Sequence, residues 1–368
     1  MAAQPKVLDI SRAEMSCKGK MVPTMIQQVL EVTKGNLSCD GIMAWPMLLA
    51  LGVMSTPNAQ LHRSVVREQW TDFRRAGISF GSCFIVGDHG TDGDNALRNE
   101  SVRMRDVLLL DLSKARERSA ALRQHAVHPR HERHAFLQFR AAHEWETKFG
   151  FWRVASRRFP RAQYIALADS DSYVHLPTIE WLLHRLSCWP RLHLGQFHAA
   201  SFDWRTGLQC AWGWVVEPSK SRKCQMKGAP PMSPFAVGAF RVVSADLARW
   251  LTGSRVGASL PAGTKEFVGG SKEDRALGSW LLNTSATYVN IDVGSFHNLA
   301  CSDKGARGSM FKRVPTAGRS VIVHTCKTPQ TLQYVHRILG LHSHSASNST
   351  CCQAKWGAEQ TLVRACKR

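Results

Sequence analysis

Two carboxylates separated by one serine, Asp169-Ser170-Asp171, directly follow the apolar run Tyr164-Ile165-Ala166-Leu167-Ala168. In extended chain, residues i and i+2 project to the same face, so both carboxylates can converge on one point. Oxygen donors placed like that suit a hard divalent cation, Mg²⁺ or Mn²⁺, shared with the phosphates of a substrate. The same residues also read as an Asp/Ser-rich turn, so the pair gains meaning only from its company. Downstream, Lys272-Glu273-Asp274-Arg275 sets adjacent acids at the start of an amphipathic helix, where they complement the helix N-terminus or supply a reactive carboxylate. Val321-Ile322-Val323-His324 reads as a strand ending in histidine, followed by Thr325-Cys326-Lys327-Thr328-Pro329. A strand-end histidine is either structural or, if it meets Asp171 in space, a metal ligand.

The elements that must position these groups are legible in the pattern. Pro46 to Met54 is a buried strand ending in the turn formers Ser55, Thr56, Pro57 and Asn58. Leu61, Val65, Val66 and Trp70 then repeat at helical spacing in a basic helix. Phe80 to Val86 and Val107 to Leu112 read as further strands, with a glycine-bearing loop from Gly87 to Gly93 that lacks dinucleotide-binding spacing. Phe136, Phe139, Ala142, Trp145, Phe149, Trp152 and Phe159 predict a long amphipathic helix, and Ile179 to Leu186 a short one behind Pro177. Val237-Gly238-Ala239-Phe240-Arg241-Val242-Val243-Ser244 reads as a strand with a glycine entry. Ser244 would be the N-cap of the helix carrying Leu247, Trp250 and Leu251. Strands alternating with helices of these lengths predict an α/β fold with a mostly parallel sheet flanked by helices, whose ligand lies beyond the carboxyl ends of the strands. The expected division is an N-terminal arm over 1–40, a catalytic domain over 41–340 and a Cys/His-bearing tail over 341–368.

Bulk properties bound the function. The 368 residues are 44% hydrophobic and 21% charged, which supports a packed core and excludes a disordered chain as a whole. The longest apolar stretch, Ile42 to Met54, is shorter than the roughly 20 residues of a membrane span, and Met1 to Ile10 has no signal-peptide pattern. Forty-eight basic against 28 acidic residues leave a net charge of +20, which attracts anionic substrates, polyanions or membrane surfaces. No nucleic-acid motif accompanies that charge, so no specific nucleic acid is expected as a partner. Eleven cysteines without a CxxC pair, together with sequons at Asn36, Asn99, Asn283 and Asn348, lean towards an oxidising lumen. His128, His131 and His134 form an HxxHxxH pattern that reads as a solvated basic loop in preference to a metal site.

Taken in order, the motifs resemble glycosyltransferase family 31, the β-1,3-galactosyltransferases and β-1,3-N-acetylglucosaminyltransferases that include the fringe enzymes. The resemblance spans about Pro46 to Gly340. It rests on Leu61 to Trp70, similar to the family's basic "RRxAIRxTW" helix, on Lys148 with its following helix, and on Asp169-Ser170-Asp171. It rests further on the Gly238 to Ser244 strand, on Glu273-Asp274, and on His324 to Pro329, which resembles "HxxKTP". The resemblance implies a GT-A-type nucleotide-sugar transferase fold. It also implies a UDP-galactose or UDP-N-acetylglucosamine donor, Mn²⁺ or Mg²⁺ as cofactor, and inverting transfer in β-1,3 linkage to a glycan acceptor on glycoprotein or glycolipid. Asp171 and His324 would then hold the metal, with Asp169 within reach of it and beside the donor nucleotide. Asp274 would be the general base, while Arg63, Arg67 and Gly238 would shape the cofactor pocket. A Golgi or secretory-lumen setting goes with the family, whose members commonly carry one N-terminal span that this chain does not show. Ser170, Arg241 and Arg275 depart from the family's pattern, and they leave an inactive relative that binds a glycan or partner protein as the alternative.

Overall fold

The computed structural model describes residues 7–9, 47–88, 95–111, 148, 150–157, 159–187, 189–202, 209–214, 233–253, 274, 277–278, 281, 286–291, 294–300, 312–340, 352–353 and 364–365. Strand β1 (Val7–Asp9) lies at one edge of the main sheet, paired parallel with β10 (Thr287–Asn290). The sheet continues through β7 (Leu192–Phe202), β9 (Ser233–Ser244), β5 (Tyr164–Ala168), β2 (Leu49–Ser55), β3 (Phe80–Asp88) and β4 (Val107–Asp111), and β8 (Gln209–Trp214) pairs with β7. Strands β5, β2, β3 and β4 run parallel, as the alternating pattern predicts. A smaller sheet joins β12 (Lys312–Arg313), β11 (Phe296–Leu299), β13 (Ile322–His324) and β6 (Tyr173–Val174).

Strand β9 departs from the parallel pattern, running antiparallel to both β5 and β7. The consequence is positional: an antiparallel neighbour brings its early residues to the carboxyl end of β5. Ala168 pairs with Phe240, so the chain from Gly238 to Ala239 flanks Asp169 and Ser170, and Asp169 N donates to Ala239 O at 3.1 Å.

Both faces of the sheet are covered, which is why β5 reads as an unbroken apolar run with every residue buried. Side chains alternate along it. Tyr164, Ala166 and Ala168 pack with the helix Gln60–Arg75, the helix Leu176–Arg185 and the helix Pro329–Leu339. Ile165 and Leu167 face the opposite layer, built from helical residues 150–157, the helix Ala245–Gly253 and the helical residues 277 and 281. Of the long helix expected from Phe136 to Phe159, the portion before 148 lies outside the described residues, as do His128, His131 and His134. Among the described residues no helix is long and apolar enough to cross a membrane.

Three details differ from the pattern reading. Leu61 is 73% exposed, because the inward position of the first turn of Gln60–Arg75 is taken by Arg63, which is 1% exposed. The helix Asn95–Met104 was not apparent from periodicity, since its buried residues are only Leu97 and Glu100. Ser244 does precede its helix, but its hydroxyl accepts from Leu192 N at 2.9 Å and so ties β9 to β7.

One core group carries a pH signature. His193 on β7 is fully buried, its ring edge-on to Phe197 at 4.9 Å, and neither nitrogen meets a hydrogen-bond partner among the described residues. Burial first, and the Arg241 charge second, push it down to about 3, so it stays neutral in the folded chain. The unfolded chain takes up that proton once the pH falls below the ordinary histidine range, so stability falls as pH drops from about 6.5 towards 3. Urea unfolding at pH 7 and pH 5 should show His193→Leu losing about 2 kcal/mol less stability than wild type across that interval. An unchanged pH difference would mean that the histidine is not held neutral.

Candidate metal centre

The turn after β5 is built so that its side chains project together. Ser172 N donates to Asp169 O at 3.0 Å, closing a turn that carries Asp169 and Asp171 before β6 begins. Strand β13 pairs antiparallel with β6, which brings the chain beyond His324 alongside Asp171. There Thr325 adopts φ 66°, a left-handed conformation that costs a β-branched residue roughly 1–3 kcal/mol. The bend lets Cys326 N donate to Asp171 O at 2.9 Å. Thr328 and Pro329 then start the next helix as N-cap and first-turn proline, with Thr328 accepting from Thr331 N. Helix Pro329–Leu339 is pinned to Gln60–Arg75 by His336 Nε2 on Asp72 at 3.0 Å and by Gln69 Nε2 on Leu332 O at 3.3 Å. The segment from His324 to Lys327 is thus held at both ends across the acidic turn.

This arrangement brings Asp169, Asp171 and His324 together, with one ligand atom from each within 4.8 Å of the others. His324 Nε2 lies 3.3 Å from Asp171 Oδ1 and 4.0 Å from Asp169 Oδ2. Its other nitrogen, Nδ1, donates to Asn298 Oδ1 at 3.0 Å, which fixes the tautomer that leaves Nε2 facing the carboxylates. Asn298 pairs with His324 in the β11–β13 ladder. Asp171 is buried, which by itself would raise its pKa. The His324 and Lys327 contacts outweigh burial and hold the carboxyl at about 2, so it is ionised at any working pH. Two carboxylates and one imidazole make a donor set for a hard-to-borderline divalent cation, with coordination positions left over for phosphate oxygens. The residues fit the group that the sequence implied.

Cations surround the turn. Lys327 Nζ contacts Asp171 Oδ2, and Lys148 Nζ lies 3.9 Å from Asp169 Oδ1. Lys327 also links to the first strand–helix junction, since its carbonyl accepts from His62 Nε2 at 3.1 Å. The register of β2 on β5, Val53 opposite Ala168, places the Ser55–Pro57 turn at the same edge as Asp169 to Asp171.

Arg63 and Arg67 stand behind that turn. Arg63 directs its five N–H donors to Glu100 Oε1 and Oε2, Ser55 Oγ, Thr56 O and Pro57 O at 2.6 to 3.2 Å. Arg67 bridges Glu100 and Asp106 at 2.7 to 2.8 Å. Burial would raise the Glu100 carboxyl, but the two guanidiniums outweigh it and hold it below its ordinary range. The structure directs both guanidiniums to protein acceptors, Arg63 bracing the backbone of Thr56 and Pro57 and Arg67 two carboxylates.

Asp274 lies over β9. Its Oδ1 meets Arg241 Nη1 at 2.6 Å, and a Cβ on Gly238 would stand 3.0 Å from its Oδ2. Gly238 thus makes room for Asp274. Pattern reading left Asn298, Glu100 and the Arg241–Asp274 pair unassigned. Asn298 sits on a strand with no turn or periodic signal of its own, whereas Lys327 was marked by its place in the His324 to Pro329 stretch.

No family model and no curated protein matches the chain. Among solved structures, similar ones include mouse xyloside xylosyltransferase 1 in its apo form, at 12% identity and a TM-score of 0.35, covering 76% of this chain and 99% of that chain. Another is the galactosyltransferase LgtC in complex with donor and acceptor sugar analogs, at 11% identity and a TM-score of 0.37, covering 79% of this chain and 96% of that chain. A third is a glycosyltransferase involved in glycosylation of the major capsid of PBCV-1, at 10% identity and a TM-score of 0.34, covering 78% and 98%. Likeness at this level leaves the functional case to the side chains themselves.

Two substitutions should move divalent affinity in opposite directions, read by Mn²⁺ titration calorimetry without nucleotide. Asn298→Ala frees the His324 ring and should weaken binding about 10- to 100-fold. Lys327→Met removes a competing cation from Asp171 and should tighten it several-fold. Equal affinities in all three proteins would remove the site.

Proposed function

We propose that the chain is a metal-dependent, inverting glycosyltransferase that moves galactose or N-acetylglucosamine from a UDP-sugar to a glycan hydroxyl, forming a β-1,3 linkage. The observation that carries this reading is the convergence of Asp169, Asp171 and His324 at the carboxyl edge of a mostly parallel α/β sheet, where such folds bind ligands. When bound, a divalent cation would act as a Lewis acid towards the diphosphate leaving group. Asp171 and His324 would hold that cation, and Asp169 would complete the set or face the nucleotide.

The remaining steps belong to the chain's own groups. Lys327, set between Asp171 and the first strand–helix junction, can follow the negative charge onto the donor diphosphate. The Ser55–Pro57 turn, stiffened by Arg63, forms one wall at the same edge. In the transfer itself, the acceptor oxygen bonds to the anomeric carbon while the carbon–oxygen bond to diphosphate breaks. The electron pair leaves with diphosphate, and the acceptor proton passes to a carboxylate on the opposite face, the role assigned to Asp274. A single displacement of this kind inverts the configuration. The surplus of basic residues favours the anionic donor, and the setting that goes with the reading is the Golgi lumen, supported by the cysteines and sequons.

A second reading, an inactive relative that binds a glycan or a partner protein without turnover, draws on the 2.6 Å contact between Arg241 and Asp274, since a carboxylate held by a guanidinium is a weaker base. Calorimetry and a transfer assay separate the two. UDP should bind wild type in a Mn²⁺-dependent way, and Asp171→Ala should lower that affinity by two orders of magnitude or more. With UDP-galactose, UDP-N-acetylglucosamine and a panel of glycan acceptors, Asp274→Ala should keep donor binding while kcat falls about 10²- to 10⁴-fold. Transfer absent in wild type would favour the inactive relative, and no UDP binding under any condition would reject the transferase reading and leave the inactive relative standing.

A further inference from the structure

Arg241 is a charged residue where a sheet ordinarily places an apolar one. It sits mid-strand in β9, opposite Leu167 of β5 and Gly195 of β7, and is 1% exposed. Its guanidinium lies over the Trp152 ring at 5.4 Å and reaches Asp274 Oδ1 at 2.6 Å. Burying a guanidinium is costly, and an apolar residue of similar volume would serve packing alone at least as well. The expense is matched by what surrounds the carboxylate. Gly238, three residues earlier on the same strand, leaves Asp274 room to lie against the sheet, since a Cβ there would stand 3.0 Å from Oδ2. One helical turn beyond Asp274, a Cβ on Gly278 would come within 2.4 Å of Pro234 O, so this helix is seated directly on β9.

The seat adjoins the acidic turn. Ala239, next to Gly238, accepts from Asp169 N at 3.1 Å, so a single stretch of β9 backbone touches both the cation site and the Asp274 side chain. Asp274 keeps 16% side-chain exposure while its partner has 1%. The buried guanidinium therefore holds the carboxylate from inside the sheet and leaves it part-exposed over the same β9 stretch that meets Asp169.

We infer that Arg241 is the positioning residue for Asp274, fixing that carboxylate on the acceptor side of the transfer. The inference rests on the transferase reading. It assigns a use to the residue that most sets this strand apart from the family it resembles, and it makes the tightly seated Gly238 and Gly278 part of the same device.

The test compares Arg241→Lys, Arg241→Met, Asp274→Asn and the double variant Arg241→Met/Asp274→Asn with wild type, in Mn²⁺-dependent UDP calorimetry and steady-state transfer. UDP affinity should be unchanged throughout. At saturating donor and acceptor, Arg241→Met should lose on the order of 100-fold in kcat, the scale expected when a reacting group is misplaced by about 1 Å. Arg241→Lys, which keeps the charge but not the fork, should recover part of that loss. The double variant, with neither charge buried, should fold and show no more activity than Asp274→Asn alone. Wild-type kcat in a folded Arg241→Met overturns the inference, as does a loss that Arg241→Lys does not relieve and that tracks UDP affinity. If Arg241→Met does not fold, Arg241→Lys decides: reduced kcat with full UDP binding supports the role, and wild-type kcat rejects it. A wild type that binds no UDP or transfers nothing takes the transferase reading down first, and this inference with it, which distinguishes the two failures.

Discussion

Carboxylates gathered at one edge of a sheet repel each other, and the structure around this edge is organised by the cations that answer them. Asp171 is met by His324 and Lys327, Asp169 by Lys148, and Asp274 by Arg241. Behind the neighbouring turn, Glu100 and Asp106 are met by Arg63 and Arg67. The cations come from parts of the chain distant from the carboxylates they meet, so acidic residues near in sequence can approach only once the fold has delivered their partners. Part of the +20 net charge is thereby committed inside the molecule. The Asp171 carboxyl, held at about 2 despite burial, shows the balance between desolvation and nearby positive charge.

Sheet topology decides which groups meet. Parallel strands β2 and β5 bring the Ser55–Pro57 turn and the Asp169–Asp171 turn to the same edge, as doubly wound sheets do. The antiparallel β9 then adds its early residues, Gly238 and Ala239, to that edge from the opposite direction. A parallel strand in this position would offer only its last residues. The small sheet contributes the third component, because pairing of β13 with β6 returns the chain to within two residues of Asp171. Three segments distant in sequence thus converge on one short stretch of backbone.

Rigidity and strain are distributed unevenly around the site. The first strand–helix junction is over-determined, with a buried arginine whose donors all find acceptors, and it behaves as a fixed wall. The segment from His324 to Lys327 combines a left-handed threonine with a half-exposed lysine, between an anchored strand and a firmly capped helix. Local strain of this kind is sustained only where the surroundings fix it, and the hydrogen bond from Cys326 N to Asp171 O is what fixes it here. Lys327 is the most exposed member of the set, with 42% of its side chain open, whereas the His324 ring is held by Asn298.

Much of this was legible in the chain itself. The apolar run before Asp169, the turn formers after Met54 and the helical spacing from Val65 to Trp70 gave the strands and helix that frame the site, because local periodicity reports which faces are buried. Asp169, Asp171 and His324 could be singled out together because their residue types and strand-end positions carry the chemistry in one dimension. The sequence could not give the direction of β9, since strand polarity within a sheet depends on connections and not on composition. Asn298 and Glu100 were invisible for a related reason: each acts through a partner far along the chain, and isolated polar residues on short or polar elements have no periodic signature. Arg241 was noticed as unusual, yet its meaning came only from the tertiary structure, where the buried charge meets the Asp274 carboxylate.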